Sequence, residues 1–84
     1  TTETMNTYET THAAACPNGL LNDHYEIKVE SASTIQVEHI QKVLEGLPSR
    51  VYQEEIADIL RSKLGASVTV IGWHFNVKIT SYRP

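Results

Sequence analysis

The chain has 84 residues and a formal charge of -3, with 40% hydrophobic and 20% charged residues. That length fits a single domain over residues 1–84, since domains typically run to roughly 100–200 residues, and the acidic balance argues against a protein built mainly to neutralise phosphates. The single Cys excludes an internal disulfide and a Cys-rich zinc module, while the longest apolar run, Ala13-Ala14-Ala15-Cys16, falls far short of the ~18 residues of a helical membrane span.

No basic segment followed by an apolar stretch opens the sequence, so the expectation is a small cytoplasmic domain with no membrane partner. Domains of this size often gain stability by self-association. Thr1 to Asn6 are polar apart from Met5 and expected to fray. Thr7-Tyr8-Glu9-Thr10-Thr11 is rich in β-favouring residues and predicts a first strand. Ala13 to Asn22 contains Pro17, Asn18 and Gly19, which is turn chemistry. Tyr25, Ile27 and Val29 then alternate with Glu26, Lys28 and Glu30, giving a strand with one apolar and one solvated face.

Two helices follow. Ser33, with Gln36 three residues on, has the form of a capping box. Val37, Ile40, Val43 or Leu44, and Leu47 recur at helical spacing, and Gly46 and Pro48 stop the helix. Ser49 is the expected cap of the second helix, whose apolar stripe is Ile56, Ile59, Leu60 and Leu64. Arg61 and Lys63 suit its last turn, and Gly65 suits its end. From Ala66 to Tyr82 the pattern is β. Val68 and Val70 alternate with Thr69 and Ile71, Gly72 interrupts as a turn or bulge, and Phe75, Val77 and Ile79 alternate with polar neighbours. The order is β-β-α-α-β-β, an α+β domain.

A lone Cys is usually a small buried hydrophobe. Cys16, however, sits at a strand-to-turn junction before Pro17, and Asp23 follows seven residues later across a turn. A thiolate nucleophile beside a proton donor is a minimal set for adding to an electrophilic carbon. Glu54 and Glu55 open the second helix; dipole stabilisation accounts for one of them, and the other could bind the paired N–H edge of a guanine-like ring. His12, Cys16 and His24 do not form a tight zinc pattern, so no metal is expected. His39 reads as an exposed helix residue. Trp73, His74 and Phe75 could stack a nucleobase, with core packing and an outward His the blander reading.

The run Cys16-Pro17-Asn18-Gly19-Leu20-Leu21-Asn22-Asp23, followed by the strand Tyr25-Glu26-Ile27-Lys28-Val29, resembles the active-site segment of the 7-cyano-7-deazaguanine reductase (QueF) family. That family has Cys-Pro, a turn, an Asp at the same spacing and then a strand, and its second helix opens with an aromatic-His-Glu signature. Tyr52-Gln53-Glu54 stands in the matching place here, with Gln53 where the family has His. The resemblance runs from about Thr7 onward. It implies a tunnelling fold (T-fold), in which a four-stranded antiparallel sheet carries two helices on one face and subunits join edge to edge into a ring. By matching positions, Cys16 would attack the nitrile carbon of 7-cyano-7-deazaguanine to form a thioimide, Asp23 would protonate the nitrile nitrogen, and Glu54 would hold the deazaguanine edge. Gln53 and His74 would complete the substrate pocket, with His24 or His74 standing in for the family's His.

The departures select a branch. The reductases carry a Glu-Ser-Lys-type motif for NADPH on the first helix, and Glu38-His39-Ile40-Gln41-Lys42-Val43 does not match it. The connection to Tyr52 is also shorter. This points to the QueF-like branch, in which ammonia rather than hydride attacks the thioimide and gives an archaeosine-type amidine, with no redox cofactor and with the base carried in tRNA. The alternatives are an NADPH-dependent nitrile reductase of queuosine biosynthesis and a non-catalytic α+β interaction module with a structural Cys. The negative charge favours the module, since tRNA binding calls for a basic stripe. A ring would concentrate Arg50, Arg61, Lys63 and Arg83 into patches.

Overall fold

A computed structural model describes residues 4–15 and 22–84. Its elements are β1 (Asn6–Ala15), β2 (Asn22–Ser31), α1 (Val37–Glu45), α2 (Gln53–Leu64), β3 (Ser67–His74) and β4 (Val77–Arg83). The strands form one antiparallel sheet in the order β1-β2-β3-β4, and both helices lie in the connection between β2 and β3. The ββααββ order read from the sequence is therefore the observed one. Among the described residues no helix is long and apolar enough to cross a membrane.

Strand alternation sets the core. Tyr25, Ile27 and Val29 of β2 and Val68 and Val70 of β3 face the helices and are buried, while Glu26 on the opposite face is exposed. Register brings Val29 beside Val68 and Ile27 beside Val70, so the two central strands present one aliphatic patch. Ile56, Ala57 and Leu60 of α2, each at 0% exposure, close over it. Tyr8 and Val43 pack at the margin of that core.

Helix starts are where the sequence misleads. The Ser33–Gln36 capping box does not form: α1 begins at Val37, and the backbone N–H of Ser33 donates to Ser31 Oγ at 3.1 Å. The segment is held extended because the N–H of Ile35 donates to the Tyr8 hydroxyl at 2.9 Å while Ile35 packs on the core. Ser49 does not cap α2 either. Its carbonyl accepts the N–H of Ala15 at 3.0 Å, and the helix starts after Tyr52, whose N–H donates to Glu55 Oε1 at 3.3 Å. Gly65 ends α2 in the left-handed conformation, φ 63°, as its position suggested.

Two features of the closing strands differ from expectation. Gly72 is not a turn or bulge; it pairs with Ile79 within a continuous β3. The turn lies at Phe75-Asn76, between the paired His74 and Val77, with Phe75 at φ 56°. At the other edge, β1 runs on through Ala13, Ala14 and Ala15, which the sequence pattern assigned to a turn region. The reason is pairing: Ala13, Ala14 and Ala15 face His24, Asp23 and Asn22 on β2.

Candidate functional site

One end of the sheet collects most of the residues singled out from sequence. β1 ends there at Ala15, β2 starts there, and β3 ends there at His74. The start of α2 reaches the same end, because a Cβ on Gly72 would touch the Gln53 side chain. A cleft of about 300 Å³ opens here, lined by Asp23, Tyr25, Tyr52, Gln53, Glu54, Trp73, His74 and Ile79. That volume is at the lower end of small-molecule sites.

The backbone fixes this corner. Ala15 N–H donates to Ser49 O, and Val51 N–H donates to Ala15 O, both at 3.0 Å, forming a parallel bridge between the end of β1 and the segment leading into α2. Cys16, the next residue after Ala15, lies outside the described residues. Asp23 is placed by the β1–β2 ladder, opposite Ala14, and its two-residue spacing from Tyr25 sends both toward the helix side.

The two acids at the start of α2 separate into different roles. Glu55 folds back onto the Tyr52 N–H and serves the helix terminus. Glu54 is exposed and lines the cleft. A carboxylate there can accept paired N–H donors from a planar ring, and the positive end of the helix dipole favours its charge.

Gln53 is 7% exposed, and its amide nitrogen donates to Val70 O and Ile79 O, both at 2.9 Å, and to Ser81 Oγ at 3.2 Å. Two amide protons are thus shared among three acceptors. The side chain ties the first turn of α2 to β3 and β4, and this bonding explains why Gly72 must be Gly. His74 borders the cleft and packs edge-on against Phe75, with ring centroids 4.7 Å apart.

His24 and His12 point to opposite faces. His24 is exposed on the face away from the helices; His12 faces the helix side, and partial burial lowers its pKa from 6.5. His39 is exposed on α1, as expected, with Nε2 3.4 Å from Lys63 O. The expectation that Trp73 and Phe75 pack in the core fails: they are 60% and 91% exposed. Sequence reading also passed over Tyr25 and Ile79 as cleft residues. Tyr25 shares a face with Asp23, which was the available signal, whereas Ile79 joins only through the β3–β4 register. A larger groove of about 490 Å³ lies between Glu9, Glu26 and Lys28, and shares none of the cleft's residues.

No family model matches the sequence, and no curated protein does. The fold, by contrast, is that of a solved structure, the archaeosine synthase QueF-Like in its apo form: the TM-score is 0.79, over 99% of this chain and 94% of that one, at 19% identity. The likeness spans all six elements, so the resemblance seen in Cys16–Asp23 and Tyr52–Glu54 extends to the architecture around them. At this identity it speaks to architecture, and the chain is an α+β domain with the T-fold of the QueF-like archaeosine synthase.

Proposed function

We propose that this chain is a QueF-like amidine-forming enzyme acting on the nitrile of 7-cyano-7-deazaguanine carried in tRNA. The observation that carries the reading is the convergence of Asp23, Glu54 and His74 on one cleft, at the sheet end where the residue before Cys16 is bonded to the entry of α2. The fold shared with an archaeosine synthase supports it.

In this reading the Cys16 thiolate adds to the nitrile carbon and forms a C–S bond. Asp23 delivers a proton to the nitrile nitrogen, giving a thioimide. Ammonia then adds to the same carbon, the C–S bond breaks and the Cys16 thiolate leaves, and a proton of the added nitrogen returns to Asp23, which completes the amidine. The sum is nitrile plus ammonia to amidine, with no change of oxidation state and no redox cofactor consumed. Glu54 accepts the N–H edge of the base, Tyr52 and Trp73 offer flat walls to its faces, and Gln53 holds the turn that carries Glu54.

Self-association belongs to the same reading. β1 and β4 are both free edges of the sheet, and edge-to-edge pairing of copies would cover them in a ring. Ile79 places the cleft against the β4 edge, so a neighbouring copy would form its outer wall.

Intact-mass spectrometry of the protein mixed with 7-cyano-7-deazaguanine tests the chemistry. The expected result is a covalent adduct that is lost in Cys16→Ala and discharged to an amidine by ammonium. Absence of an adduct at any pH would overturn the enzyme reading, and oxidation of NADPH with the nitrile base would replace amidination by reduction.

A further inference from the structure

We propose that the β3–β4 hairpin tip is a stacking platform for the nucleotide adjoining the base held in the cleft. This rests on the reading of the cleft as a base site. Trp73 lines that cleft, and the chain continues through His74 to Phe75 at the turn. Phe75 is the most exposed large hydrophobic side chain among the described residues, at 91%.

Its backbone sharpens the point. Phe75 occupies the first central position of a two-residue hairpin turn at φ 56°, a place suited to Gly and poorly suited to an aromatic residue. Strain of this kind gathers at ligand contacts, where the side chain is needed more than the relaxed turn. The ring meets His74 edge-on, with centroids 4.7 Å apart, and is otherwise open to solvent.

Charge completes the chemistry. Lys78 is the cross-strand partner of Trp73, so the two side chains leave the hairpin on the same face and a cation is within reach of a phosphate there. Exposed aromatic faces in succession, with a cation alongside, suit single-stranded nucleic acid: bases stack on the rings while the phosphate meets the Lys. The partner is thus a polynucleotide strand, in which the base in the cleft is one unit and its neighbour lies on Phe75.

The test is binding of a short fluorescent single-stranded RNA at low salt by the full chain and by Phe75→Gly and Lys78→Ala, with oligomeric mass and free-base adduct formation measured in parallel. Gly accepts the turn's positive φ, so Phe75→Gly keeps the hairpin while removing the ring. We expect roughly tenfold weaker RNA binding, the size of one lost base–aromatic stack, with unchanged adduct formation on the free base. Lys78→Ala should lower the salt dependence of binding. Equal RNA affinity in Phe75→Gly, failure of the full chain to bind RNA, or a changed oligomeric mass in Phe75→Gly would overturn the proposal, the last by making the tip a contact between copies. Weaker RNA binding in Phe75→Gly with no free-base adduct in the parent chain would support the platform and defeat the reading of the cleft.

Discussion

Gln53 and Gly72 are fitted to each other: a Cβ built on Gly72 would stand 2.6 Å from Gln53 Oε1 and 2.8 Å from the Tyr25 ring. Both neighbours are buried and neither is a free-swinging tip, since the Gln53 amide is already bonded to two strands. Gly72→Ala must therefore displace the start of α2 from the sheet. We expect a loss of about 1–3 kcal/mol, typical of overpacking, measured by urea denaturation, together with slower adduct formation because Glu54 moves with Gln53.

Gln53 itself can be read the same way. Gln53→Leu keeps the bulk but removes the donor to Val70 O, Ile79 O and Ser81 Oγ. Leaving such acceptors dry costs roughly 1–3 kcal/mol. Gln53→Glu should be worse, because a carboxylate would face two carbonyl oxygens. A Gln53→Glu protein as stable as the parent would show that the amide does not hold this corner.

His12 gives a pH dependence with a definite sign. Burial lowers its pKa in the folded state below the ordinary 6.5. The unfolded chain therefore binds the proton first as pH falls, so this group's contribution is intact above pH 6.5 and is lost on going down through the folded pKa. His12→Asn should flatten that part of the stability–pH curve. Denaturation midpoints of the two proteins, compared from neutral to mildly acidic pH, read the difference directly.

Tyr8→Phe isolates one bond. The Tyr8 hydroxyl accepts the N–H of Ile35 at 2.9 Å and holds the segment before α1 extended. Its removal should cost about 1 kcal/mol and raise hydrogen exchange at Ile35 above that at Ile40. Unchanged exchange at Ile35 would mean that the packing of its side chain alone fixes the segment.

Much of this architecture was legible because it follows from periodicity. Tyr25-Ile27-Val29 and Ile56-Leu60 announce their faces, and those faces form the core. The helix starts were misread because Ser33 and Ser49 carry the right side chains for caps, yet the neighbouring backbone is engaged elsewhere, with Tyr8 and β1 respectively. Such tertiary bonds leave no local signature. Gly72 was ambiguous for the same reason: a Gly within a strand pattern marks a turn, a bulge or a close approach, and only the position of Gln53 decides among them. Within the site, Asp23 stood out by its spacing from Cys16, whereas Glu54 and Glu55 looked alike until the bond from the Tyr52 N–H to Glu55 separated them. The exposure of Phe75 was not, since alternation with Val77 and Ile79 reads as core unless the turn is known to sit at Phe75-Asn76.

The bridge from Ala15 to Ser49 and Val51 is made wholly of main-chain atoms. No side-chain substitution erases it unless proline removes a donor or the backbone is forced apart. The junction where β1 hands over to Cys16 is thus tethered to the approach to Tyr52, Gln53 and Glu54 by groups that every amino acid but one supplies. Sequence drift can rewrite most of the surface while this anchorage stays in register. An architecture still recognisable at 19% identity is what such anchorage would permit, because it joins Ala15 to Ser49 and Val51 through groups that do not depend on the side chains there.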